Sequence, residues 1–179
     1  MVQRVIAGLV LVGLLPISAN TVCAQNTGQN QPEKPPTTYY WHNWADHNGV
    51  SHITKCPLHH YTLKTMNKPA APQWSDELFK GEARIISTVQ PDHWNGVWHT
   101  DPKVQWIIPL QGTWFVQAMD GTRVEMGPGD ISLGEDQRTL PDAQGHKGHL
   151  GGNVTSGPVT LMVIQLAEAP TVDEACRFK

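Results

Sequence analysis

From Tyr39 onward, the chain consists of short runs of residues that favour β-strands, and Gly, Pro, Asn or Asp interrupts these runs. No long stretch repeats its apolar residues at the 3.6-residue period of a helix. Strand-length runs between turn residues are typical of β-sandwiches and β-barrels. The pattern therefore predicts an all-β domain.

Two dipeptides predict hairpin turns. Asn48-Gly49 and Asp120-Gly121 both supply residues that tolerate the positive φ of a two-residue turn. The second turn joins strands expected at residues 113–118 and 122–126. The Gly-Pro-Gly-Asp segment at 127–130 then turns the chain into another strand.

The remaining elements follow from the same reasoning. Pro109 is tolerated only at a sheet edge or a bulge, because it cannot donate a backbone hydrogen bond. Residues 75–80 carry two early acidic residues and predict one short helical turn. The further strands are expected at residues 83–89, 104–110, 131–133 and 159–166.

The first 24 residues are typical of an export signal. Arg4 precedes an apolar run from Val5 to Leu15, Pro16 ends the run, and Val22-Cys23-Ala24 offers small or modest side chains for cleavage. A membrane anchor is the alternative, but the run is shorter than the roughly 20 residues that cross a bilayer. The signal predicts a periplasmic or secreted protein without stable membrane insertion.

The rest of the chain has the size of one domain. Residues 25–38 are rich in Gln, Asn and Pro and predict a flexible leader. Residues 39–179 then form a single folded domain, since roughly 155 residues remain after the signal and two domains would not fit comfortably. The net charge is −3 and there is no basic run, which argues against a nucleic-acid partner.

Two cysteines remain once the signal is removed. Export would place Cys56 and Cys176 in an oxidising compartment. We predict a disulfide between them that ties the C-terminal tail to an early strand. Two separate thiols are the alternative.

One pair of segments points to a pocket. His99 is followed by Asp101, Gln105 and Gly112, and a Gly-His-Lys-Gly-His segment occurs much later, at residues 145–149. A small barrel with strands at these places would gather the histidines at its mouth. The segments therefore indicate a candidate ligand or metal site.

These segments resemble the two sequence motifs of the cupin family, over about residues 85–166. The first cupin motif has a His-x-His pair followed by Glu and later Gly, and the second has a Gly-Asp turn that leads to a histidine. The resemblance implies a cupin-type double-stranded β-helix, a jelly-roll barrel, with an N-terminal strand extension, and it implies a homodimer formed through edge strands. Asp101 replaces the second histidine and Gln105 replaces the glutamate, which removes one unit of negative charge.

The resemblance also implies a divalent transition metal, with Fe, Mn, Ni or Zn as candidates. Two of its ligands have structural alternatives. His99 would otherwise be a hydrogen-bonded histidine at the barrel rim, and Asp101, directly before a proline, would otherwise open a turn. The full predicted ligand set is His99, Asp101, Gln105 and His149.

Glu135 and Asp136 precede the second histidine segment and are candidate catalytic residues. Two carboxylates beside a pocket raise each other's proton affinity, which suits acid–base chemistry. A solvated loop pair is the alternative. His146 and the early histidines lack convincing metal spacing and are expected at the surface; the early ones are His42, His47, His52, His59 and His60.

Three classes of function fit these residues. The first is an exported cupin whose pocket binds a metal and a small molecule. A variant with two histidines and Asp101 as an iron-binding triad would need a basic clamp for 2-oxoglutarate, but residues 148–176 contain no Lys or Arg. The second is a non-catalytic barrel that binds a sugar or small acid, and the third is a structural or partner-binding domain with a large apolar patch.

Overall fold

A computed structural model describes residues 34–178, and in this part the chain is all-β, with eleven strands and no helix. The expected all-β class is confirmed. No helix in residues 34–178 is long and apolar enough to span a bilayer. The predicted signal, most of the leader and Lys179 lie outside the described residues. The strands are β1 (Thr38–Ala45), β2 (Ser51–Leu58), β3 (Thr62–Lys64), β4 (Gln73–Ser75), β5 (Ala83–Gln90), β6 (Gln105–Gln111), β7 (Trp114–Ala118), β8 (Arg123–Met126), β9 (Ser132–Glu135), β10 (His149–Asn153) and β11 (Val159–Leu166).

The strands form one large sheet and two small ones. The large sheet has the order β2-β1-β9-β6-β11-β5, the second has the order β10-β7-β8, and β3 pairs with β4 alone. Among the strands within residues 34–178, only the β1–β9 pair is parallel, so the large sheet is mixed. The hydrogen bonding of the described strands closes no barrel. The jelly-roll barrel therefore stays a prediction.

One face of the large sheet packs against the β10-β7-β8 sheet. Trp41, Ile107 and Val163 come from three strands of the large sheet and share a core with Trp114 and Val116 of β7. Each fully buried side chain of this kind contributes about 1.5–3 kcal/mol of transfer free energy. The space between the two sheets is therefore filled by an apolar core, where an unpaired polar group is costly.

The opposite face of the large sheet packs against the C-terminal tail. Tyr40, Trp106 and Leu133 are buried there, with Cys176 and Phe178 of the tail packed on them. The predicted disulfide between Cys56 and Cys176 is present, across 120 residues of sequence. A disulfide of this kind indicates a compartment other than the cytoplasm.

The turn predictions are mostly confirmed. Gly49, Gly121 and Gly129 all have positive φ. Neither hairpin has the expected two-residue connection, since the β1–β2 connection spans residues 46–50 and the β7–β8 connection spans residues 119–122. Pro109 lies in β6 beside a register shift in its pairing with β11, so it occupies a bulge. Bulges and edges are the places where a sheet tolerates proline.

The helical turn predicted at residues 75–80 is wrong. Ser75 ends strand β4, and residues 76–80 have no regular structure. Leu78 and Phe79 instead pack against the core beneath the tail. Burial of these two side chains outweighs the weak preference of the early acidic residues for a helix start.

Candidate metal and ligand site

A row of polar residues crosses the large sheet on the face that meets the second sheet. Strand register aligns Arg84 with Gln165, Gln165 with Gln105, Gln105 with Gly134, and Gly134 with Asn43. Directly paired residues point to the same face of a sheet. Five strands therefore contribute one continuous row, and only the glycine in its middle lacks a polar side chain.

The gap at Gly134 is filled by Asp101. Asp101 comes from the segment before β6, and a Cβ atom at Gly134 would overlap its carboxylate. The side-chain amide of Gln105 donates to Oδ1 of Asp101 at 2.5 Å, and the amide of Gln165 donates to Oε1 of Gln105 at 3.1 Å. The glycine thus allows a buried carboxylate to join the row.

Asp136 is the first residue after β9 and brings a second carboxylate. Its Oδ1 accepts the backbone N–H of Asp101 at 2.8 Å, and its Oδ2 lies 2.7 Å from Nδ1 of His149. Asp136 is fully buried and Asp101 is 4% exposed. Two carboxylates therefore share one desolvated site.

His149, at the start of β10, provides the imidazole. Its backbone pairs with that of His99 through two hydrogen bonds of 2.8 and 3.0 Å. Gly148 makes this pairing possible, because it has a φ of 77° and a Cβ atom there would overlap the carbonyl of His99. The ring of His149 is thereby held inside the site.

The three side chains converge through one atom each. Nδ1 of His149 lies 2.7 Å from Oδ2 of Asp136 and 4.0 Å from Oδ2 of Asp101. One ligand atom from each residue lies within 4.8 Å of the others. The other oxygen of each carboxylate is held by an N–H donor, so the converging oxygens are oriented. This Asp101–Asp136–His149 cluster can hold a metal ion.

The charges of the cluster favour a protonated His149 beside the two carboxylates. Burial and then the charge of Asp136 raise the pKa of Asp101 to about 7, against the opposing effects of His149 and Gln105. Burial lowers the pKa of His149, but the charge of Asp101 and the hydrogen bond with Asp136 outweigh it and raise the pKa to about 9. At neutral pH a proton on His149 therefore compensates the carboxylates.

Asn43 is a part of the site that the sequence interpretation missed. Its side-chain nitrogen donates to Oδ2 of Asp136 at 3.1 Å and lies 3.3 Å from Nδ1 of His149. Its Oδ1 is buried and has no hydrogen-bond partner among the described residues. The available signal was an amide on β1 at the inward position between Trp41 and Ala45, where an apolar residue would be expected.

The other two predicted ligands, Gln105 and His99, both lie next to the cluster but do not contribute a converging atom. Gln105 touches the cluster through Asp101 rather than through its own oxygen. The His99 ring lies against the His149 ring, with 4.5 Å between centroids, but it is exposed and its Nδ1 donates to the carbonyl of Val97 at 2.7 Å. His99 therefore covers the cluster and is not one of the three converging residues.

Glu135, the other predicted catalytic residue, is not brought to the cluster. It ends β9 on the opposite face from Gly134, since successive strand residues alternate. Its Oε2 lies 2.9 Å from Nε2 of His42, and its Oε1 accepts from the backbone of Thr171 at 2.7 Å and from Arg177 at 2.8 Å. Burial raises the pKa of Glu135, but these hydrogen bonds and the Arg177 charge outweigh it and lower the pKa.

The remaining histidines divide between surface and core. His146 forms an accessible pair with Asp142, with 3.1 Å between Nδ1 and Oδ2, which agrees with its expected surface position. His42 was expected at the surface, but it is fully buried. Its Nδ1 donates to the carbonyl of Ala175 at 3.1 Å, so the tail covers it.

Comparison with known proteins does not assign this chain to a family. No family model matches the chain, and no curated protein matches it. A solved structure of protein NMB1881 from Neisseria meningitidis is 14% identical over a match that covers 58% of this chain and 100% of that chain, with a TM-score of 0.34. A TM-score this low supports no conclusion about fold or function.

Proposed function

We propose that this protein is an exported cupin-like β protein that binds a divalent transition metal through Asp101, Asp136 and His149 and presents it to a small molecule. The observation that carries the proposal is the convergence of Oδ2 of each aspartate on Nδ1 of His149. A bound metal would supply a Lewis acid. The cupin assignment rests on the two sequence motifs.

Charge supports a divalent ion. Two carboxylates and a neutral imidazole carry a net charge of −2, which a divalent cation neutralises. Buried ions are costly unless they are paired in this way. Imidazole and carboxylate ligands together suit Fe, Mn, Ni and Zn.

Asn43 also supports a functional site. Its side-chain nitrogen donates to Oδ2 of Asp136 at 3.1 Å and lies 3.3 Å from Nδ1 of His149. Its buried Oδ1 has no hydrogen-bond partner among the described residues, and a buried acceptor without a donor costs about 1–3 kcal/mol. A polar side chain kept at this cost beside two of the proposed ligands supports a role in the site.

Two neighbours position the ligands. Gln105 holds one oxygen of Asp101 and leaves the other free for the metal. The His99 ring packs against His149 and excludes water from one side of the imidazole. We place the protein in the periplasm or outside the cell, which the disulfide supports.

The test is direct metal binding. The chelator-treated protein should bind one Mn²⁺, Fe²⁺, Ni²⁺ or Zn²⁺ per chain in titration calorimetry. Asp101→Asn, Asp136→Asn and His149→Gln should each lower the affinity by about 100-fold or more, since each removes a ligand. His99→Ala should have a smaller effect.

The matched control is Asp142→Asn, which alters the exposed Asp142–His146 pair. This variant should bind metal as the unmodified protein does. Equal loss in Asp142→Asn would show that binding occurs at surface histidines and would contradict the proposal. So would a folded protein that binds none of the four ions.

A further inference from the structure

A cleft of about 260 Å³ opens at the edge of the large sheet, beside β5. Its walls come from three segments, namely the start of β5, the end of β11 and the residues before β6. The polar and charged residues that line it are Glu82, Arg84, Lys103 and Gln165. None of the three converging residues of the Asp101–Asp136–His149 cluster lines this cleft, and Gln165 connects the cleft to Asp101 through Gln105.

Backbone hydrogen bonds fix the shape of the cleft. Leu166 donates to the carbonyl of Val104 at 2.8 Å, which holds Lys103 against the end of β11. Ala167 donates to the carbonyl of Glu82 at 3.0 Å, which holds the start of β5 on the other side. The charged residues are therefore carried by paired backbone and not by a loose loop.

Two positive charges in the cleft are unpaired. Arg84 and Lys103 are both exposed, and neither forms an ion pair with another residue in the described range 34–178. Glu82 is the one acidic residue of the lining. The cleft thus has a net charge of +1, which matches a ligand with a single negative charge.

Gln165 adds an oriented amide. Arg84 pairs directly with Gln165 in the β5–β11 register, so their side chains start about 4.5–5.5 Å apart on one face. One N–H of Gln165 is committed to Gln105, which fixes the orientation of the amide and leaves its second N–H and its oxygen for a ligand. The guanidinium and the amide can therefore reach the same group.

We propose that this cleft binds a small organic acid that carries a hydroxyl group. The carboxylate would pair with Arg84 and Lys103, because a guanidinium matches the two oxygens of a carboxylate. The hydroxyl group would donate to Glu82. Ala83 and Ala167, which are exposed in the lining, offer a small apolar surface to the carbon skeleton.

The negative charge of Glu82 should favour binding of a carboxylate over binding of a phosphate. A phosphate near neutral pH carries up to two negative charges, and one of them would be left to face the Glu82 carboxylate. Like charges in one cleft are unfavourable. The lining therefore favours the monoanion, and phosphate serves as the discriminating probe.

The experiment measures binding of L-lactate to chelator-treated protein, with lactamide as the neutral probe and inorganic phosphate as the other anion. Lactate should bind saturably and more tightly than lactamide and phosphate. Arg84→Gln and Lys103→Gln should each weaken binding by about tenfold. Lys64→Gln, which removes an exposed charge from β3, should leave binding unchanged.

Amide chemical-shift mapping locates the ligand. The shifts should move at Arg84, Gln165 and Leu166. Shifts centred on His149 instead, equal binding of lactamide, tighter binding of phosphate, or no effect of either cleft variant would each overturn the proposal. Because the protein is free of metal in this experiment, the result is independent of whether the Asp101–Asp136–His149 cluster binds an ion.

Discussion

Asp101 lies directly over Gly134, so that a single added methyl group at position 134 would occupy the space of its carboxylate. Gly134 pairs with Gln105 on one side and with Asn43 on the other. Because Gly134 has no side chain, the Asp101 carboxylate fits into the middle of the polar row. Gly134 is a structural requirement of the site although it has no functional group.

Gly134→Ala should displace Asp101 and weaken metal binding. Overpacking of this kind costs about 1–3 kcal/mol of stability, and a shifted ligand lowers metal affinity by about 10-fold or more. Calorimetric metal titration and thermal unfolding measure the two effects. Gly127→Ala is the matched control, because a Cβ atom there would lie no closer than 3.4 Å to any other atom, the nearest being Thr113 Oγ1. Equal metal affinity in both variants would contradict the geometry.

Glu135→Gln should lower the stability of the protein and Asp136→Asn should lower its metal affinity, although the two acids are adjacent. Glu135 pairs with Arg177 beneath the tail, and loss of that buried charge should cost about 3 kcal/mol of unfolding free energy without changing metal affinity. Asp136→Asn should lower the metal affinity by about 100-fold or more, because it removes a converging carboxylate oxygen. Denaturant unfolding and metal titration of both variants give the comparison. A loss of metal affinity in Glu135→Gln would mean that the two faces are coupled.

The stability of the metal-free protein should fall as the pH rises. The folded-state pKa of His149 is raised to about 9, above its usual 6.5, so the folded protein keeps a proton that the unfolded chain releases. This contribution is complete below pH 6.5 and is lost as the pH rises to 9, and it amounts to at most about 3 kcal/mol. Asp101, with a pKa raised to about 7 from 3.8, acts in the same direction at lower pH.

Denaturant unfolding at several pH values measures this dependence. His149→Gln should flatten it between pH 6.5 and 9. Saturating metal should also reduce the slope, since a bound imidazole must be deprotonated. A steeper fall in stability in His149→Gln than in the unmodified protein would contradict the prediction.

Removal of the disulfide should loosen the tail more than the cluster. Cys176→Ser opens a loop closed across 120 residues, and the chain-entropy model assigns about 4–5 kcal/mol to a loop of this size. In the tail, the amide of Thr171 donates to Glu135 and that of Phe178 donates to the Tyr40 hydroxyl, so both amides should exchange faster with solvent. Hydrogen exchange compares them with His149, whose amide should stay protected by its bond to His99. Equal acceleration at both places would mean global unfolding.

Local patterns were enough for much of the fold. The hairpin at Asp120-Gly121, the strand over 159–166 and the bulge position of Pro109 were predictable, because turn chemistry and strand alternation act over a few residues. The pairing of Cys56 with Cys176 was predictable because these are the two cysteines that lie outside the expected signal. The prediction of a helical turn at residues 75–80 is wrong, because the burial of Leu78 and Phe79 beneath the tail depends on residues far away in the sequence.

For the candidate site, the sequence predicted most of the residues but not how they are arranged. Residue chemistry and motif spacing singled out Asp101, Gln105, Asp136 and His149, and the structure places all four in contact through side chains. Spacing alone did not separate Glu135 from Asp136. That separation depends on which face of β9 meets the second sheet, and only the packing of the strands determines it.

The sequence by itself therefore determined the all-β class, the turns and the residue types able to hold a metal, because these depend on backbone preferences and side-chain chemistry. The tertiary structure alone decided which of them meet. Asn43, Gly134 and Gln165 lie far apart along the chain and belong to one row only because five strands pair in a particular register. Register is a long-range property, and a shift of one residue would turn every side chain of the row to the other face.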